Sequence, residues 1–196
     1  TGAAFALTRP PGHHARRGQA AGFCLINHAA LAAHHGRALG AGRVAVVDFD
    51  AHHGNGTEAV FRDDERVLFA SSYQSPIYPF PEPARHRSGL LPLPVPAGSD
   101  GPAYRTLVTD HWLEPLEAFA PQLLVVSAGF DGHSADDMSD LRLGELDYAW
   151  LASQLGRVAR DHADGRLVAI LEGGYNPPAL ARSVTAFLRA LLDLDA

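Results

Sequence analysis

Asp48, Asp50 and His52 alternate with Phe49 and Ala51 at the end of an apolar run. In extended backbone alternate side chains share a face, so two carboxylates and an imidazole point the same way. Such a mixed oxygen and nitrogen set suits Zn2+, Fe2+ or Mn2+. Soft thiolate ligation is excluded, because Cys24 is the single cysteine. A catalytic metal takes about three protein ligands and keeps a position open for water. Asp131, which ends another apolar run, is the natural third ligand beside this cluster. An Asp-x-Asp pair alone is as readily two turn or helix-capping carboxylates. The company of His52, the Gly54-Asn55-Gly56 turn and Asp131 favours a metal.

His13-His14 supplies candidate acid–base groups. Neighbouring histidines held by different partners take different pKa values, so one serves as base while the other stays charged. Asp48 and Asn55 are available to orient them. The pair follows an apolar run and a rigid Pro10-Pro11-Gly12, unlike His34-His35, which reads as a surface pair in mid-helix. His28, His86, His111 and His162 read as surface or helix-packing residues. Tyr175 follows Gly173-Gly174, where backbone comes close to a ligand, and its phenol is placed to donate to a developing oxyanion. A lone tyrosine is otherwise a packing residue. No GxGxxG or GxxxxGK occurs, which argues against a nucleotide site.

The elements that must carry these groups alternate. Residues 4–8, 43–49, 67–71, 123–128 and 167–171 are short apolar runs with little polar alternation, as parallel strands covered on both faces should be. Helical patterns fill 23–39, 104–119, 145–162 and 178–194. Strands separated by helices imply right-handed crossovers, hence an α/β fold with a parallel sheet and helices on both faces. Residues 75–96 hold seven prolines without a clear period and read as a long ordered loop. Four of the five strands run into polar or Gly-rich clusters at their carboxyl ends, where such sheets bind ligands.

The chain has 196 residues, enough for one sizeable core, and its 46% hydrophobic content excludes disorder. The net charge of −6 argues against direct nucleic-acid binding and suits a cationic substrate. One cysteine suits a reducing compartment, and no signal peptide or membrane-length apolar run is present, so a cytoplasmic location is expected.

Five motifs now stand in order: Arg-Pro-Pro-Gly-His-His-Ala from Arg9, Gly-Phe-Cys-Leu-Ile-Asn from Gly22, Asp-Phe-Asp-Ala-His-His-Gly-Asn-Gly-Thr from Asp48, Ser-Ala-Gly-Phe-Asp from Ser127 and Glu-Gly-Gly-Tyr-Asn from Glu172. Together they resemble the histone deacetylase family, which includes the acetylpolyamine amidohydrolases and other bacterial deacetylase-like hydrolases. The resemblance implies an arginase/deacetylase fold and hydrolysis of N-acyl amides, with one Zn2+ or Fe2+. It makes Asp50, His52 and Asp131 the metal ligands and His14 the general base. His13, positioned by Asp48, becomes the electrostatic partner, and Tyr175 polarises the scissile carbonyl. Asn55 stands where some members have a second relay Asp, as in the class II and bacterial branch. A structural K+ site is implied at Asp48, Asp50, His52, Ser71 and Ser72. The substrate channel is implied at Gly22, Phe23, Met138, Gly173 and an aromatic of the 78–80 stretch, taken as Phe80. Pro79-Phe80-Pro81 departs from the family's usual turn, and the acidic gatekeeper of polyamine-specific members is missing near Met138.

The expected substrate is an acetylated lysine peptide or an acetylpolyamine. Family domains are longer than this chain, so residues 1–196 are expected to be one deacetylase-like domain incomplete at its N-terminal end. Such a chain should expose apolar surface and favour a homo-oligomer or low stability. A non-catalytic protein that keeps the metal centre as a structural element or an acyl-lysine reader is the alternative of another class.

Overall fold

A computed structural model describes residues 2–80 and 89–194. Pro81 and His86, and residues 81–88 of the proline-rich stretch, lie outside the described residues.

Among the described residues, six parallel strands form one sheet in the order β1-β6-β5-β2-β3-β4. They are β1 (Ala3–Ala6), β2 (Val44–Asp48), β3 (Val67–Ser75), β4 (Leu90–Pro96), β5 (Leu123–Ala128) and β6 (Leu167–Leu171). Five match the predicted runs to within a few residues. The sixth, β4, falls where a loop is expected. Its prolines at 92, 94 and 96 alternate, and among the described residues it pairs only with β3, at the sheet edge. An edge strand needs only every second N–H for its ladder, so proline is tolerated at the outward positions.

The helices are α1 (His28–Ala38), α2 (Asn55–Phe61), α3 (Gly101–Val108), α4 (Glu114–Phe119), α5 (Glu145–Ala163) and α6 (Pro177–Leu191). α1 starts five residues later than its periodicity predicts. Gly22 and Phe23 take left-handed backbone (φ 50° and 64°), closing a tight turn in which Ala21 and Cys24 exchange backbone bonds. The helix then begins at Asn27, whose side chain accepts the Ala30 N–H at 2.8 Å. α2 arises from the Gly54-Asn55-Gly56 sequence that reads as a turn. The N–H groups of its second and third residues, Gly56 and Thr57, donate to the His13 carbonyl at 3.0 and 3.1 Å. A tertiary acceptor thus stabilises a helix start that propensity disfavours. The predicted helix 104–119 is helical throughout, but five residues around the buried Trp112 form a π-helical turn between α3 and α4.

The sheet separates two cores. Ala45 and Val47 face the side covered by α3–α6, with Tyr104, Trp112, Tyr148 and Phe187. Val44 and Val46 face α1 and α2, with Ala29, Ala33 and Phe61. The second face is thinner. Leu25, Ile26, Leu31 and Leu39, on and beside α1, are each more than half exposed. Among the described residues no helix is long and apolar enough to cross a membrane.

After β2 the chain moves to β3 on one side, and it returns to place β5 on the other. The carboxyl ends of β2 and β5 therefore flank the crevice where the order switches, the position that binds ligands in such sheets.

Candidate active site

Asp48 ends β2, and Asp50 and His52 follow on the bend; Asp131 lies just beyond β5. Both carboxylates of the predicted ligand set are fully buried. His52 Nδ1 stands 3.0 Å from Asp50 Oδ1 and 2.9 Å from Asp131 Oδ2. Ligand atoms of all three residues lie within 4.8 Å of one another. Backbone N–H groups hold each carboxylate: Ala51 donates to Asp131 Oδ1 at 2.9 Å, and Gly173 to Asp50 Oδ2 at 2.8 Å. Burial, then the charge of Asp50, raise the Asp131 carboxyl to about 6. Two buried carboxylates converging on one imidazole nitrogen are costly without a cation between them. The donor set thus fits a divalent metal with mixed oxygen and nitrogen ligation.

Gly173 reaches this centre because it lacks a side chain. A Cβ there would lie 2.5 Å from Asp131 Oδ2 and 2.6 Å from Asp50 Oδ2.

The two histidines have different environments. His13 Nδ1 lies 2.9 Å from Asp48 Oδ2, and its Nε2 lies 3.8 Å from Asp50 Oδ1. Burial opposes its charge, but the two carboxylates outweigh burial and hold the His13 pKa well above its ordinary value. His14 Nδ1 lies 2.8 Å from Asn55 Oδ1, a bond that assigns the ring hydrogen to Nδ1 and the lone pair to Nε2. Burial, then the charge of His13 at a ring separation of 4.1 Å, push His14 down to about 3. The two rings are thus set apart, His13 favouring the cation and His14 the free base. Gly22 lies against His14, and a Cβ there would overlap the ring. Cys24, pushed up to about 11 by burial, accepts the His14 N–H at 3.4 Å.

Tyr175 stands at the rim, 38% exposed, with its ring 6.1 Å from that of Phe23. Burial among carboxylates raises its pKa, so the hydroxyl keeps its proton. Phe23 is 68% exposed, and Met138 is 38% exposed in the loop after Asp131. Within the 78–80 stretch it is Tyr78 whose ring meets the site, 5.1 Å from that of His14. Phe80 is 71% exposed.

Two of the residues expected to hold potassium pair across the β2–β3 ladder. Asp48 is in register with Ser71. The Ser71 hydroxyl contacts His53 Nδ1 at 3.0 Å, and that of Ser72 contacts the Tyr104 hydroxyl at 2.8 Å.

Two supporting carboxylates escape the sequence reading. Glu172, fully buried, accepts the backbone N–H groups of Gly12 and His13 at 2.6 and 3.1 Å and the Ser127 hydroxyl at 3.0 Å. It ties the end of β6 to the loop that carries both histidines. Its signal, a carboxylate ending an apolar strand, is the one that singles out Asp131. Asp136 accepts two backbone N–H groups next to Tyr175. Nothing in the sequence separates it from its neighbour Asp137.

Residues 1–191 match the family described as Histone deacetylase domain. The chain belongs to the histone deacetylase family. It is 42% identical over 180 residues to a "Probable deacetylase" of Archaeoglobus fulgidus, an alignment covering 88% of this chain and 50% of that protein. It is 39% identical over 198 residues to "Histone deacetylase 14, chloroplastic" of Arabidopsis thaliana, covering 97% and 47% respectively. The crystal structure of acetylpolyamine aminohydrolase from Burkholderia pseudomallei superposes with a TM-score of 0.88 at 36% identity, covering 97% of this chain and 56% of that one. The fold is thus the arginase/deacetylase fold of this family. The chain spans about half the length of the curated relatives it matches.

Proposed function

We propose that this chain carries the catalytic centre of a metal-dependent deacetylase, which hydrolyses an N-acetyl amide on a lysine side chain or a related amine. One observation carries the reading. A buried Asp50–His52–Asp131 ligand set, a neutral His14 and a protonated Tyr175 converge at the carboxyl edge of one sheet. Zn2+ is the metal this donor set suits best, with Fe2+ the second choice.

Asp50, His52 and Asp131 would hold the ion, which supplies Lewis acidity and lowers the pKa of water. His14 accepts a proton at Nε2 from the attacking water. Asn55 keeps the ring in the tautomer that permits this. His13 stays protonated against Asp48 and provides positive charge beside the growing negative charge. Tyr175 donates its hydroxyl hydrogen bond to the carbonyl oxygen as it becomes an oxyanion. A histidine proton then goes to the leaving nitrogen, giving acetate and the free amine. Phe23 and Tyr78 offer aromatic faces to the acyl chain. A structural K+ at Asp48, Asp50, His52, Ser71 and Ser72 belongs to the same reading.

Turnover of a fluorogenic acetyl-lysine peptide by the full-length protein tests it. Activity should vanish on chelation and return with Zn2+. Failure to cleave acetyl-lysine or acetylated polyamines when metal-loaded would favour a binding protein. The superposition on an acetylpolyamine aminohydrolase makes acetylputrescine and acetylspermidine the comparison substrates.

A further inference from the structure

The peptide unit that leads into Tyr175 is gripped at both ends. Arg9 Nη2 donates to the Gly174 carbonyl at 2.9 Å. On the other side of the same peptide, the Tyr175 N–H donates to Asp136 Oδ2 at 2.6 Å. The same oxygen accepts the Asn176 N–H at 3.0 Å, and Asp136 Oδ1 accepts the Met138 N–H at 3.1 Å. Asn176 Nδ2 adds a bond to the Ala135 carbonyl at 2.8 Å. Asp136 is 6% exposed, whereas Tyr175 is 38% exposed, with its ring about 6 Å from the Phe23 ring and from the Arg9 guanidinium. Gly174 just before it has φ 133°, a conformation open to glycine. The main chain on both sides of Tyr175 is therefore held by hydrogen bonds.

We infer that Asp136 is a positioning residue for Tyr175: its carboxylate fixes the Tyr175 and Asn176 N–H groups and so aims the phenol at the reacting carbonyl. Charged acceptors make the stronger hydrogen bonds to backbone N–H, which suits a carboxylate here. The inference rests on the proposed deacetylase reading, because it gives the phenol a target.

A double-mutant cycle in the full-length, metal-loaded protein tests it. Asp136→Ala should lower kcat between about 10- and 100-fold, the scale of a small misplacement of a catalytic group, with KM and bound metal little changed. Asp136→Asn keeps one oxygen acceptor and should lose less; it carries the cycle if the alanine variant does not fold. In a Tyr175→Phe background either change should cost less than about threefold, since residues acting as one unit are not additive. Equal losses in both backgrounds, or no loss beside native Tyr175, would overturn the inference. A second readout needs no turnover. In the chelated protein carrying 3-fluorotyrosine, the 19F resonance that disappears on Tyr175→Phe should shift and sharpen on Asp136→Ala. An unchanged resonance overturns the inference, while an inactive wild type with a shifted resonance overturns only the deacetylase reading.

Discussion

The two sides of the site are built by different means. On the β2 side, side chains hold side chains. His13 sits on Asp48, His14 on Asn55, and His52 between Asp50 and Asp131, all within 2.8–3.0 Å. Apart from Asn55 these groups are buried. On the Tyr175 side the phenol stands at the rim, and hydrogen bonds hold the peptide unit that leads into it. The difference follows from the work each side would do. Gathering carboxylates and imidazoles in a dry site needs compensating partners for each charge. A phenol that meets a substrate must instead leave its hydroxyl open. Substitutions on the β2 side should therefore change charge, protonation and metal content together, and those on the Tyr175 side should change rate alone.

Asp131→Asn is the sharpest way to break this contrast. The amide oxygen can keep the Ala51 N–H bond, but the amino group then faces His52 Nδ1. Activity should fall by more than the roughly 10–100-fold that loss of a merely supporting contact costs, and bound metal should fall with it. Elemental analysis beside the peptide assay checks both. Full metal content in this variant would remove Asp131 from the ligand set.

Tyr175→Phe should come next. Loss of an oxyanion donor costs on the order of 10²–10³ in kcat. Metal content and melting temperature should stay those of the wild type. A parallel loss of metal would show that the two sides are not independent.

Glu172 bridges the two sides, since it follows β6 and holds the Gly12 and His13 N–H groups. Glu172→Ala leaves two buried N–H groups without acceptors, a destabilisation of about 2–6 kcal/mol at 1–3 per group. Glu172→Gln should recover more than half of that. Denaturant unfolding measures both. Equal stability of wild type and Glu172→Ala would show that the His13-His14 loop is held by other contacts.

The same contrast explains what the sequence makes legible. Asp48, Asp50, His52 and Asp131 stand out because charged residues end strands that are otherwise apolar, and burial at a strand end is visible in one dimension. His13-His14 stands out for a similar reason. Asp136 does not, because its work lies in which backbone N–H groups it meets across the fold, 39 and 40 positions away. The strands are legible from their apolar runs, except β4, where alternate prolines hide an edge strand. The late start of α1 was hidden because the Phe23 turn depends on left-handed backbone. α2 was hidden because the Gly56 and Thr57 N–H groups in its first turn rely on the His13 carbonyl.

The smallest expected effect lies behind the β2 side. His53, adjacent to His52 but turned away from it, contacts Ser71 Oγ at 3.0 Å and Glu58 Oε2 at 2.7 Å. The hydrogen bond from His53 is the main cause that holds the Glu58 carboxyl below its ordinary value of 4.5. A carboxyl with a depressed folded pKa stabilises the fold while ionised. That contribution is fully present above the unfolded value and is lost as pH falls through the lower folded one. Glu58→Gln should therefore be less stable than wild type at pH 7, by about 0.5–1.5 kcal/mol for one partly exposed hydrogen bond. The gap between the two proteins should narrow as pH drops below about 4.5, where Glu58 begins to lose its charge. Thermal melts of both proteins between pH 7 and 4 measure it. Deacetylase kcat should differ by less than about twofold at pH 7, because Glu58 touches neither the ligand set nor His14, and supporting contacts to actual ligands are the ones that cost 10–100-fold. A gap that widens on acidification would mean that the bond works with a neutral Glu58, and the charge network would then end at His53.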